Sequence, residues 1–285
     1  MEKSRKPNAL VRPFLKWAGG KRQLMPTIKQ HLPSKFNTYF EPFVGGGAVF
    51  LELQRKNTLI NDRNKELINC YRVIQNSVEE LIEALKRHQE ENHEYYYYGI
   101  REWDRSNEFK DKPPVERAAR IIYLNKTCYN GLFRVNSQGH FNVPFGRYKK
   151  PNILDIAVLR AVSDYLKSSN TSMLDIDFEE AVSSAKKGDF VYFDPPYDPV
   201  SDTSSFTGYD INGFNREEQI RLKKCADRLT DIGCKVMVSN AYTDFIIDLY
   251  SDSRYKKNKI SAIRAINSNA EKRGSVDEVL ITNYE

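Results

Sequence analysis

Asp194-Pro195-Pro196-Tyr197 follows the apolar run DFVYF, residues 189–193. That run predicts a buried strand, and the prolines cannot continue a sheet ladder, so the carboxylate stands at the strand's carboxyl end, where α/β sheets bind ligands. The prolines also make the turn rigid. Rigid placement suits one kind of chemistry: the carboxylate accepts one hydrogen bond from an aromatic amine, the Pro195 carbonyl accepts the other, and the Tyr197 ring offers a stacking face. An amine held in this way has its lone pair drawn out of the ring and can attack an electrophilic methyl group in line, without a covalent enzyme intermediate. In isolation the four residues would equally suit a proline-stiffened surface turn with a capping Asp.

Gly45-Gly46-Gly47 comes after an apolar segment and before a helical pattern, which places backbone against ligand with a helix N-terminus behind it. Asp62, seventeen residues beyond Gly45, follows a second apolar segment and is placed to bind a ribose diol. A nucleoside cofactor is implied, and the departure from GxGxxG disfavours NAD and FAD. Gly19-Gly20-Lys21 fails the phosphate-loop pattern, because Arg22 stands where its Ser or Thr belongs. Cys70, Cys128, Cys225 and Cys234 form no CxxC pair and no cluster with His, so no metal site and no disulfide framework is expected. None of them follows a proline or sits at a strand-end turn with a basic partner, which disfavours a thiolate attacking a ring carbon and favours amine methylation.

These residues need a sheet to position them. TYFEPFV (38–44) reads as a strand, AVFLELQ as the helix after the glycine turn, and NTLIN (57–61) as the next strand. From 64 to 126 the pattern is helical, with a capping box from Ser77 and Glu80 and a helix after Pro113-Pro114. The stretch 127–150, with Asn130-Gly131, Gln138-Gly139 and Pro144, predicts a β-hairpin or loop beside the helices. After 151 the α/β rhythm returns: a helix to about 168, a strand near 172–176, a helix near 178–185, DFVYF, a helix capped by Asn215 and ended by Gly233, then CKVMVSN. Segments near 259–265 and 276–283 look like an antiparallel closing pair. The expected fold class is therefore α/β, a mainly parallel Rossmann-like sheet with a closing antiparallel hairpin. Residues 1–63 and 151–285 form its catalytic domain, and 64–150 a mainly helical insertion.

Charge is distributed unevenly over the 285 residues. Residues 1–29 hold eight Lys or Arg against one acid, and 117–154 hold seven (Arg117, Arg120, Lys126, Arg134, Arg147, Lys149 and Lys150) with none. With a net charge of +6 overall, the rest of the chain is acidic. Tyr129, Phe133, Phe141, Phe145 and Tyr148 interleave with these cations, a mixture suited to phosphates and bases together. A polyanion is the expected partner. No apolar run approaches the roughly 20 residues of a membrane span, and the start MEKSRKPNAL lacks a secretory apolar segment, so a cytoplasmic protein is expected, without an obligate protein partner.

FLKWAGGK (14–21), EPFVGGG (41–47), Asn61-Asp62, YNGLFR (129–134), FNVPFGRYKK (141–150) and DPPY (194–197) together resemble, in content and order, the Dam-type, alpha-class DNA N6-adenine methyltransferases. The resemblance implies S-adenosylmethionine (AdoMet) as methyl donor, enclosed by Trp17 and Lys21, lined by Phe43, Gly45 and Gly47, with Asp62 on its ribose. It implies catalysis by Asp194 and Tyr197 on an adenine in double-stranded DNA. Lys16, Leu132, Arg134, Pro144 and Tyr148 sit where the family reads bases, and Tyr129 and Asn130 where it wedges into the stack and holds the backbone. By analogy the site is GATC. The target amine is unreachable in a stacked duplex, so the base must swing out, with Tyr129 filling the gap and the segment 201–213 ordering over it. Cytosine N4 methylation, RNA or protein amide substrates, and a non-catalytic DNA-binding regulator on the same scaffold are the alternatives.

Overall fold

Short runs of β-branched and aromatic residues build the sheet. The computed structural model describes residues 7–17, 19, 21, 23–199, 214–263 and 275–285. The strands are β1 (Tyr39–Glu41), β2 (Thr58–Asn61), β3 (Thr171–Leu174), β4 (Phe190–Phe193), β5 (Lys235–Ala241), β6 (Lys256–Ile263) and β7 (Ser275–Thr282). They form a seven-stranded sheet of order β3-β2-β1-β4-β5-β7-β6. β1 runs parallel to β2 and β4, and β4 to β5, whereas β7 is antiparallel to both β5 and β6. Every residue of β1 and β4 is buried, as central parallel strands require. The expected sheet and its closing antiparallel pair are both present. β1 stops at Glu41, short of the apolar run to 44, because Pro42 has no N–H for a ladder and the glycine turn follows.

Helices are α1 (Met25–Gln30), α2 (Ala48–Leu53), α3 (Lys65–Asn76), α4 (Val78–Glu90), α5 (Glu94–Arg101), α6 (Pro114–Thr127), α7 (Ile156–Ser168), α8 (Phe178–Ala181), α9 (Arg216–Ile232) and α10 (Asp244–Leu249). The segment 201–213, expected to order over the base, lies outside the described residues.

The chain divides into two compact units. The first comprises Met1–Gly20, Val44–Lys56 and Asn61–Asp175. Its core forms where α3 packs on α6 and α7, and α4 on α6, through Leu67, Ile68, Ile74, Leu81, Leu85, Leu124 and Val162. Asn64 caps α3 by accepting from the Leu67 amide, and Asp155 caps α7 by accepting from Val158. The capping box expected at Ser77 is not formed: that residue makes no side-chain cap, since it also ends α3, its N–H bonded to the Val73 carbonyl at 2.8 Å.

Residues 94–111, within the stretch whose pattern is helical, fold into α5 and two short 3-10 turns, Glu102–Arg105 and Asn107–Asp111. Helical periodicity sorts the tyrosines, with Tyr97 fully buried and Tyr95 86% exposed. This segment braces the hairpin region. Tyr97 donates to the Val143 carbonyl at 2.8 Å, and Asp104 accepts from the Phe141 amide at 2.7 Å. Buried Arg120 of α6 pairs with the same Asp104 at 2.8 Å and donates to the carbonyls of Ile100 and Arg101.

The second unit comprises Lys21–Phe43, Asn57–Ile60 and Ile176–Glu285. Phe40, Phe178, Val191, Phe193, Leu222, Leu229, Val236, Val238, Ile246 and Ile281 form its core. Asn215 caps α9 through the Glu218 amide, and Gly233, at φ 93°, ends it in the left-handed conformation, both as the sequence predicts.

Candidate active site

In the second unit, β4 delivers Asp194 to its carboxyl end, and the turn that follows is fixed at every residue after Pro195. Gln219 donates to the Pro196 carbonyl at 2.8 Å and accepts from Asn240 of β5 at 3.0 Å. The Tyr197 hydroxyl donates to Glu278 at 2.8 Å and lies 2.7 Å from Ser239 Oγ. Buried Asp198 is held by Arg216, by Thr243, and through its amide by Asn240. Among the described residues the Pro195 carbonyl accepts no hydrogen bond, which distinguishes it from the carbonyl of Pro196. Of these supports, Ser239-Asn240 had a legible signal, a polar pair directly after the apolar run VMV in CKVMVSN. Gln219, Arg216 and Glu278 had none, because they are brought in by contacts distant in sequence.

Lys21 is buried in this unit, its ammonium 2.8 Å from Asp194 Oδ1 and 4.6 Å from the centroid of the Tyr197 ring. Burial pushes the Asp194 carboxyl up to about 6, against the ammonium of Lys21, which lowers it. Phe43 packs on Phe178 and Phe214, with ring centroids 5.3 and 5.5 Å away. The Cys225 and Cys234 thiols are each pushed up to about 11 by burial, which opposes thiolate formation.

In the first unit, Gly45 and Gly47 both have positive φ, 49° and 71°. Their lack of a side chain is used by the protein itself: a Cβ on Gly45 would lie 2.9 Å from Trp17 Cδ1, and one on Gly47 2.5 Å from the Tyr71 hydroxyl. Asp62 fastens the turn, one carboxylate oxygen accepting from the Gly45 amide at 3.0 Å and the other from Asn64 at 2.9 Å. Burial raises its carboxyl above the ordinary value, with both amides opposing the shift. Each oxygen retains a lone pair for a ribose hydroxyl. Trp17, half-buried, stacks on Phe133 at 4.8 Å.

The candidate DNA-contacting residues converge on one part of this unit. Tyr129 and Asn130 lie in a 3-10 turn with Asn130 at φ 57°, and the Tyr129 amide donates to the Pro144 carbonyl at 2.9 Å. Isolated bridges join Cys128 to Phe145 and Val135 to Phe141, so 127–150 is a loose hairpin, as expected. Tyr129 is 52% exposed and Tyr148 38%. Arg134 and Pro144 are exposed, and Leu132 is half-buried. Lys16 lies 5.9 Å from the Tyr148 ring. The cationic run needs one correction: Arg117 pairs with Glu66, and Arg120 is buried against Asp104, so neither stands on the surface with Arg134, Lys149 and Lys150.

A mainly parallel sheet bearing a rigid carboxylate-proline-proline-tyrosine turn, with a glycine turn fastened by an acid, defines the class of Rossmann-like amine methyltransferases. The model of the D12 class N6 adenine-specific DNA methyltransferases matches residues 17–266, and the chain belongs to that family. It is 47% identical to the Type II methyltransferase M1.LlaDCHI of Lactococcus lactis subsp. cremoris, over 96% of each chain. It is 45% identical to the Type II methyltransferase M.MjaIII of Methanocaldococcus jannaschii, over 96% of this chain and 99% of that protein. The DNA adenine methylase of Escherichia coli K12 is 38% identical over 94% of each. The chain is therefore an adenine-specific DNA methyltransferase, in a family that uses AdoMet as methyl donor, and the cytosine, RNA, protein and regulator alternatives fall away.

Proposed function

We propose that this enzyme methylates the N6 amine of an adenine extruded from duplex GATC, with Asp194, Pro195 and Tyr197 as its catalytic residues. The observation that carries the catalytic reading is the immobilised turn at the end of β4, whose carboxylate is half-buried beside an ammonium group. The Asp194 carboxylate accepts one N–H of the amine and the Pro195 carbonyl the other, which turns the nitrogen lone pair out of the ring. Tyr197, anchored through its hydroxyl, gives the base a ring surface that cannot swing away. Lys21 keeps Asp194 ionised although its surroundings disfavour charge.

The residues of the first unit fit an adenosyl donor. Asp62 offers two acceptor oxygens, Trp17 an aromatic wall, and Gly45 and Gly46 are partly exposed backbone. Bound AdoMet supplies a sulfonium methyl as the electrophile. Residues 64–150 serve as the inserted target-recognition region, in which Leu132, Arg134, Pro144 and Tyr148 read bases together with Lys16 from the first segment of the chain. Tyr129 fills the gap left by the adenine and Asn130 holds the backbone. Extrusion costs a few kcal/mol, which these contacts offset.

Modified-base sequencing of plasmid from methylation-deficient cells expressing the protein tests this. N6-methyladenine confined to GATC is the expected result. Modification at a different motif would overturn the site assignment and leave the chemistry standing.

A further inference from the structure

Lys16 and Trp17 are consecutive, and in the reading above they serve different ligands, Lys16 the duplex and Trp17 the methyl donor. One side chain holds both peptide groups of Lys16, the second of which it shares with Trp17. Asn125, fully buried on α6, accepts from the Lys16 amide at 2.9 Å and donates to the Lys16 carbonyl at 2.8 Å and the Gly131 carbonyl at 3.1 Å. A grip on both N–H and C=O fixes the orientation of residue 16 as a sheet ladder would, and the same amide reaches the hairpin at Gly131.

Both residues are in close contact with their neighbours. A Cβ on Gly131, at φ 65°, would lie 2.4 Å from Lys16 Cδ. Trp17 is confined between Gly45, where an added Cβ would come to 2.9 Å, and Phe133 of the hairpin, 4.8 Å between ring centroids. A shift of the hairpin at Gly131 therefore moves Lys16, and turning that peptide presses Trp17 on the glycine turn. Close-packed groups transmit such displacements because they cannot absorb them.

We propose that Asn125 is a positioning residue coupling the two sites, so that cognate duplex seated on the hairpin and AdoMet seated at the glycine turn strengthen each other's binding. The proposal rests on the reading of Lys16 as a base contact and Trp17 as a donor contact. Linkage makes the effect reciprocal: the factor by which duplex tightens AdoMet equals that by which AdoMet tightens duplex.

The chain has two tryptophans, so Trp103→Phe leaves Trp17 as the sole indole emitter. Trp103 lies in the Glu102–Arg105 turn against Lys112 and His88, and is not among the residues assigned to the duplex or the methyl donor. In this full-length background, Trp17 emission and AdoMet affinity are measured without DNA, with a GATC duplex, and with a duplex changed at one base pair. kcat/KM is compared between the duplexes. Cognate duplex alone is expected to change Trp17 emission and to tighten AdoMet at least about fivefold. Asn125→Ala should bring that factor within twofold of unity and reduce discrimination between the duplexes at least tenfold. Asn125→Asp, which keeps the acceptor but sets an oxygen against two carbonyls, should do the same. Should both variants fail to fold, Gly131→Ala displaces Lys16 with Asn125 intact and is expected to give the same losses. Coupling and discrimination surviving in the folded variants would overturn the proposal. Lys16→Ala and Trp17→Ala locate such a failure: if they lower discrimination and AdoMet affinity respectively, only the coupling is wrong, and if neither has an effect, the reading of the pair is wrong as well.

Discussion

Asp194 is caught between two opposed influences, an enclosure that favours its neutral form and a lysine that favours the charged one, and the balance sets its carboxyl at about 6. In its proposed role Asp194 holds the amine as a carboxylate, so single-turnover methyl transfer is expected to rise with pH through a limb near 6 and to level above it. Lys21 lowers this value, so Lys21→Met should move the limb to higher pH; an unmoved limb would show that another group titrates. The stability linkage has the opposite sense. A raised carboxyl favours the folded state most below its ordinary value, and that contribution is lost as pH climbs through about 6. Asp62 is a second carboxylate under burial, but each of its oxygens accepts a backbone N–H. Asp62→Asn replaces one acceptor by a donor facing a donor, and AdoMet affinity measured by calorimetry should fall about tenfold or more.

At the scale of elements, the proposed function divides the hairpin into residues that would read sequence and residues that would hold phosphate. Arg134, exposed and steadied by Asn142 at 2.8 Å, should on replacement by Ala lose about 1–3 kcal/mol of discrimination at one base pair. Lys149→Ala should weaken binding to all duplexes alike and flatten the salt dependence, as measured by titrations at several ionic strengths. Uniform weakening by Arg134→Ala would mark it as a phosphate contact. The strand that carries Asp194 was legible in the sequence, because an apolar run stopped by two prolines has few other readings. The glycine turn was legible in position and only partly in cause. Its glycines accommodate Trp17 and Tyr71, which lie 28 and 24 residues away, and no local pattern reports such contacts. Ser77 misled for a related reason: a capping box needs a free N-cap, and the one-residue link between α3 and α4 already employs it.

Over the whole molecule, the segment 94–111 does its work through buried polar contacts, which no pattern along the chain reports. Asp104 joins Arg120, Arg105 and the amide of Phe141, so one carboxylate ties α6, the 3-10 turns and the hairpin together. Removing one partner of a buried pair strands the other, and Asp104→Ala is expected to cost about 3 kcal/mol, visible in chemical denaturation. A change under about 1 kcal/mol would show that Arg120 finds water instead. Net charge misleads at this scale in the same way: two cations counted as DNA-facing are spent on internal pairs, which no count along the chain can reveal. The most direct measurement is a single turnover of Asp194→Ala with AdoMet and a GATC duplex, followed by nucleoside analysis and a parallel binding titration. Duplex affinity should stay within a few-fold of the parent while N6-methyladenine disappears. Retained transfer, or loss of binding in proportion to loss of product, would contradict the catalytic role assigned to this carboxylate.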